Sequence, residues 1–104
     1  MTGHIISLVE QSFQIHLNEE DWNYQRFLTH LKFFAQRVAM RQVSQEGGNE
    51  ELYDELAGRY PHVRNCVDRI ADYILIEFHY DIGMDERMYL MIHVERVTRA
   101  CRKS

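Results

Sequence analysis

Apolar side chains recur along this chain at intervals of three and four residues, with few breakers between them. That spacing predicts helices rather than strands. From Trp22 to Gln42, residues Tyr24, Phe27, Leu31, Phe34, Ala35 and Val38 fall on one side of a helix and form a core stripe. Leu90, Val94, Val97 and Cys101 do the same in the last stretch, where they form a buried seam. The predicted elements are a helix from about Gly3 to Phe13, a polar connection at Asn18 to Asp21 and a long helix from about Trp22 to Gln42. A loop at Ser44 to Gly48 follows, then helices from about Asn49 to Gly58, Pro61 to His79 and Met84 to Arg102, with a turn at Tyr80 to Gly83. Pro61 suits the first turn of its helix. Asp85 and Glu86 complement the dipole at the start of the last helix, and Arg99, Arg102 and Lys103 complement its end. The expected fold is all-α, a five-helix antiparallel bundle.

Two apolar strips lie outside the seams. Trp22, Phe33 and Met40 sit nearly opposite the core stripe of the long helix, and Met88 and Ile92 with Met91 form a second surface on the last helix. A monomeric bundle would expose them, and they look like partner surfaces. Strips of this kind also pack against other helices, so the pattern alone leaves both readings open.

One proline and five glycines in 104 residues agree with long helices, and a chain of this length makes one domain. The net charge of −4 argues against a self-sufficient nucleic-acid binder, which would carry a basic face. Cys66 and Cys101 have no metal-ligand spacing, and no run of 18 apolar residues exists, so a cytoplasmic protein with reduced thiols and no membrane contact is expected.

The candidate chemistry is concentrated in histidine and arginine. Arg26, His30, Arg37 and Arg41 share one flank of the long helix, with no carboxylate of that helix between them. On the last helix His93 sits at the edge of the seam, with Arg96 three residues on and Tyr89 four residues back. Histidines at core boundaries are commonly packing residues, and His4, His16, His62 and His79 are read that way. Arginine stripes are commonly solvated. No H-E-x-x-H, no Glu-x-x-His pair, no phosphate loop and no G-x-S-x-G occurs, and a metal held by His30 and His93 would need a further ligand that the sequence does not show. Neither an enzyme nor a cofactor is expected.

Longer motifs carry the reading further. The run Tyr24-Gln25-Arg26-Phe27-Leu28-Thr29-His30-Leu31-Lys32-Phe33-Phe34-Ala35-Gln36-Arg37 resembles the Y-x-R-F-x-T-H-L-x-F-F-x-Q-R signature of the phosphotransferase-system regulation domain (PRD) of bacterial antiterminators of the BglG and SacY type. Tyr89-Leu90-Met91-Ile92-His93-Val94-Glu95-Arg96 resembles the family's second histidine motif, Y-L-x-I-H-I-x-R, with Val94 in place of isoleucine. Tyr60-Pro61 and Cys66 fit its Y-P-x-x-x-x-C segment. The resemblance runs from about Ile6 to Thr98 and is most similar to the second of two tandem copies, so residues 1–104 are expected to be one such domain from the C-terminal part of a longer antiterminator. The chain departs from the pattern at Gly83, where Ser or Thr commonly caps the last helix, and at Arg87, where an apolar residue is frequent.

The resemblance implies a homodimer that accepts phosphate on His30 and His93 from the phosphocarrier HPr, with sugar-specific enzyme IIB components acting mainly on the other copy. A separate domain would bind the RNA. A neutral imidazole is nucleophilic, and the phosphorylated ring would carry close to two negative charges that Arg26, Arg37 and Arg96 could stabilise. Two other classes compete. A histidine phosphotransfer domain of two-component signalling is also helical, but its H-x-x-K-G run is missing here, where Lys32 and Phe33 follow His30. A purely structural dimerisation module would need neither histidine. A transcriptional activator with regulation domains is a further parent for such a piece.

Overall fold

The computed structural model describes residues 1–42 and 50–102. The chain forms α1 (Thr2–Phe13), α2 (Trp22–Ala39), α3 (Glu50–Arg59), α4 (Pro61–Phe78) and α5 (Met84–Arg102), with no strand among the described residues. The expected loop at Ser44 to Gly48, the helix start at Asn49 and Lys103 lie outside these residues.

Local chemistry sets most boundaries. Asp21 caps α2 by accepting a bond from the Asn23 amide at 3.3 Å. Helix α2 stops at Ala39, three residues earlier than the pattern predicts, because Arg41 turns left-handed (φ 54°). The amides of Arg41 and Gln42 then return to the carbonyls of Val38 and Arg37, at 3.0 and 2.9 Å. Gln14 and His79 end α1 and α4 with the same backbone reversal. At Gly83, which opens α5 where the family prefers a hydroxyl, a Cβ would stand 2.9 Å from the Asp85 carboxylate.

Helix α5 packs against α4 and α2, and also touches α1 and α3. The core runs from Ile5 and Val9 of α1 through Phe27, Leu31 and Phe34 of α2 and Val63, Val67, Ile70 and Ile74 of α4 to Leu90, Val94 and Val97 of α5. Ala35, expected in the core stripe, is half-buried. Met91 departs further from expectation. It is buried rather than part of an outer strip, because α3 covers that side of α5 and Leu56 and Tyr60 line the same cleft as Met91. The predicted turn at Tyr80 to Gly83 also contributes to the core, through Tyr80 and Ile82. Arg87, the other departure from the family pattern, pairs with Asp68 of α4 at 3.2 Å.

Candidate functional site

Helices α2 and α5 run antiparallel, and this register brings the two candidate histidines together. The rings of His30 and His93 lie 4.8 Å apart between centroids at 27°. Buried Phe27 lies 6.0 Å from the His93 ring, and Tyr89 lies 5.7 Å from the His30 ring. Two turns further along α2 and two turns back along α5, Arg37 meets Glu86 in a fork. Its Nε donates to Oε1 at 3.0 Å and its Nη2 to Oε2 at 2.9 Å.

The histidine pair opens onto a groove of about 460 Å³ lined by Trp22, Gln25, Arg26, Thr29, His30, Phe33 and His93. Its rim is apolar: Trp22 is 69% exposed and Phe33 59%, and Met40 continues the strip at 61%. These three side chains stand in the open, as their helical spacing predicts. The Arg26 guanidinium lies 5.5 Å from the centre of the Trp22 ring. Thr29 and Gln25 turn their polar groups to the backbone, bonding the carbonyls of Gln25 and Glu19 at 2.9 and 2.7 Å. Among the described residues lining the groove there is one guanidinium and no carboxylate.

Burial is the leading influence on both imidazoles. It pushes His30 below its ordinary pKa, with Arg37 adding to the effect. His93 is lowered to about 4, first by burial, then by His30, Arg96 and Arg26. Both rings are therefore neutral at pH 7, each with one nitrogen lone pair available. The Nε2 atom of His30 is buried with no hydrogen-bond partner among the described residues.

The arginine ridge expected on α2 divides by function. Arg26 faces the groove. Arg37 is occupied by Glu86, a carboxylate that the α2 pattern could not reveal because α5 supplies it. Arg41 donates to the carbonyls of Phe78 and His79, at 3.2 and 2.8 Å, and so closes the C-terminal end of α4. Arg96 is exposed one turn beyond His93. The remaining histidines lie elsewhere. His4 stacks on Tyr73 at 3.9 Å, His16 stands in solvent with its Nδ1 4.0 Å from Glu10, His62 is exposed and His79 ends α4. Cys66 and Cys101 are free thiols. No described helix is long and apolar enough to cross a membrane.

In this all-helical domain the two motif histidines thus meet between antiparallel helices, beside arginine and an exposed apolar strip. Residues 3–97 match the PRD domain, and the chain belongs to that family. It is 40% identical over 95 residues to the transcription antiterminator LicT of Bacillus subtilis, covering 91% of this chain and 34% of that protein. It is 38% identical over 94 residues to the beta-glucoside operon antiterminator of Dickeya chrysanthemi, covering 89% and 32%. The PtsGHI operon antiterminator of Bacillus subtilis is 26% identical over 98 residues, covering 94% and 34%. The chain thus spans about a third of the length of these relatives.

Proposed function

We propose that this domain is a phosphorylation-responsive regulatory module of a transcriptional antiterminator, with His30 and His93 as the phosphoacceptors and HPr as donor. The carrying observation is the meeting of the two motif histidines, both neutral at pH 7, in an open groove beside Arg26. In the transfer, a neutral imidazole nitrogen attacks the phosphorus of phosphohistidine on HPr. The new P–N bond forms as the old one breaks, the attacking ring gives up its N–H proton, and the HPr imidazole leaves, taking up a proton in exchange. The donor brings the catalytic machinery, and this domain supplies the nucleophile and its surroundings. Arg26 and Arg96 would face the developing charge, and Arg37 acts at longer range from its pair with Glu86.

The response is an interface event. A doubly negative group at the margin of the Trp22, Phe33 and Met40 strip changes the packing of a second copy against it, and so controls RNA binding by a separate domain. Incubation with phosphoenolpyruvate, enzyme I and HPr tests the reading. Acid-labile, base-stable phosphate should appear on the wild type and vanish from the His30→Ala, His93→Ala double variant. Undiminished labelling of that variant would move the site to another histidine, and an unlabelled wild type would leave only a structural dimerisation role. Labelling by a two-component receiver instead of HPr would favour the phosphotransfer class.

A further inference from the structure

We propose that His30 and His93 act as a single phosphoryl site, in which phosphorylation of either ring strongly disfavours phosphorylation of the other. The proposal rests on the phosphoacceptor reading above and adds a negative coupling between the two positions. Three observations carry it. The rings are nearly stacked at 4.8 Å and open onto the same groove, so a group on either imidazole occupies space the other would need. The cations acting on His93 are Arg26 of α2 and Arg96 of α5, while Arg37, which acts on His30, is already paired with Glu86. One phosphoryl group of nearly two negative charges is balanced by Arg26 and Arg96, and two are not. Finally, the Nε2 of His30 is buried and has no hydrogen-bond partner among the described residues.

The unmodified ring then changes role. Beside a phosphoryl dianion the factors that keep it neutral are opposed by a strong attraction for a proton, and its pKa rises. Once protonated, both ring nitrogens carry hydrogen. The ring can donate a charge-assisted bond to the phosphoryl oxygens but has no lone pair with which to attack a second donor. The second transfer is thus slowed by loss of the nucleophile as well as by repulsion. The Tyr89 ring also lies against His30, 5.7 Å away between centroids.

Intact-mass spectrometry of the wild-type domain during phosphorylation by HPr tests the coupling, with His30→Ala and His93→Ala as single-site references. Each single variant should take up one phosphoryl group. The wild type should reach one group per domain, with the second at least tenfold slower than the corresponding step in the single variants. Ready accumulation of a doubly phosphorylated domain, at rates matching the two single variants, would overturn the coupling and leave the phosphoacceptor reading intact. Absence of label from every form would instead overturn the phosphoacceptor reading. A second measurement needs no donor: the His30 pKa by NMR should be higher in His93→Asp than in His93→Ala by about one pH unit, and equal values would also overturn the proposal.

Discussion

Arg37 and Glu86 bind each other through two parallel hydrogen bonds, two helical turns from the point where His30 and His93 meet. The two contacts join the same antiparallel helices, so the ion pair fixes the register that stacks the histidines. The Glu86 side chain is 4% exposed and that of Arg37 33%. Removing the arginine alone strands a buried carboxylate, and Arg37→Ala should cost about 2–4 kcal/mol. Arg37→Met with Glu86→Leu should recover most of that loss, because no charge is then left buried. Urea unfolding of the two single variants and the double variant, read as a double-mutant cycle, checks the pair. A cost for Arg37→Ala below about 0.5 kcal/mol would show that the fork contributes no more than an exposed pair.

The exposed strip should behave differently from the core stripe of the same helix. Phe34 is fully buried, and Phe34→Ala should destabilise the domain by about 3–5 kcal/mol. Phe33, the preceding residue, is 59% exposed, and Phe33→Ala should leave the unfolding midpoint almost unchanged while weakening self-association. Thermal unfolding and sedimentation equilibrium on the two variants separate folding from assembly. Equal losses of stability would place Phe33 in the core of the isolated fold.

The contrast between Phe33 and Phe34 is legible in the sequence because both follow from one helical period, which holds for α2 except at half-buried Ala35. The histidine pairing is not. It depends on which residue of α5 lies opposite which residue of α2, and that register is set by distant contacts such as the Arg37–Glu86 fork and the burial of Tyr80 and Ile82 in the connection to α5. Glu86 illustrates why. Its position in the first turn suited the helix dipole, and nothing local indicated that it would be buried against a guanidinium from another helix. Met91 was misplaced for a related reason, since α5 is covered on more than one side and a single-seam pattern misses its second buried face. The family motifs identified His30 and His93 one by one, whereas the groove and the leading role of burial in keeping both rings neutral emerge only from packing.

Those depressed pKa values bear on stability. A histidine that binds its proton less readily in the folded state than in the unfolded chain favours unfolding as the pH falls. The effect begins near the unfolded pKa of about 6.5 and is complete below the folded value, about 4 for His93. Since the ring is only half-buried, the loss should be on the order of 1–2 kcal/mol rather than the full equivalent of the shift. His93→Gln should therefore lose less stability than the wild type between pH 6.5 and 4, while the two differ little in pH dependence above pH 7. Denaturant titrations across that range would reveal parallel curves if His93 contributes nothing.

Replacing the histidines by aspartate tests whether the groove communicates with the apolar strip. Phe33 and Trp22 line the groove together with His30 and His93, so a negative charge there lies at the edge of any surface that a second copy covers. His30→Asp and His93→Asp should change the monomer–dimer constant by about 1–3 kcal/mol, the usual coupling between a modification and a distinct site. The change should be stabilising where an arginine of the opposing copy faces the aspartate, and destabilising where the opposing surface is apolar. Aspartate is shorter than phosphohistidine and carries a single charge, which places the expected effect at the lower end of that range. Raising the salt concentration should shrink an effect of charge and leave an effect of lost packing in place. Sedimentation equilibrium of the wild type, both single variants and the double variant at low and high salt measures all of this. Four identical dimer constants, with helical content unchanged by circular dichroism, would show that the histidine pair does not act on the interface.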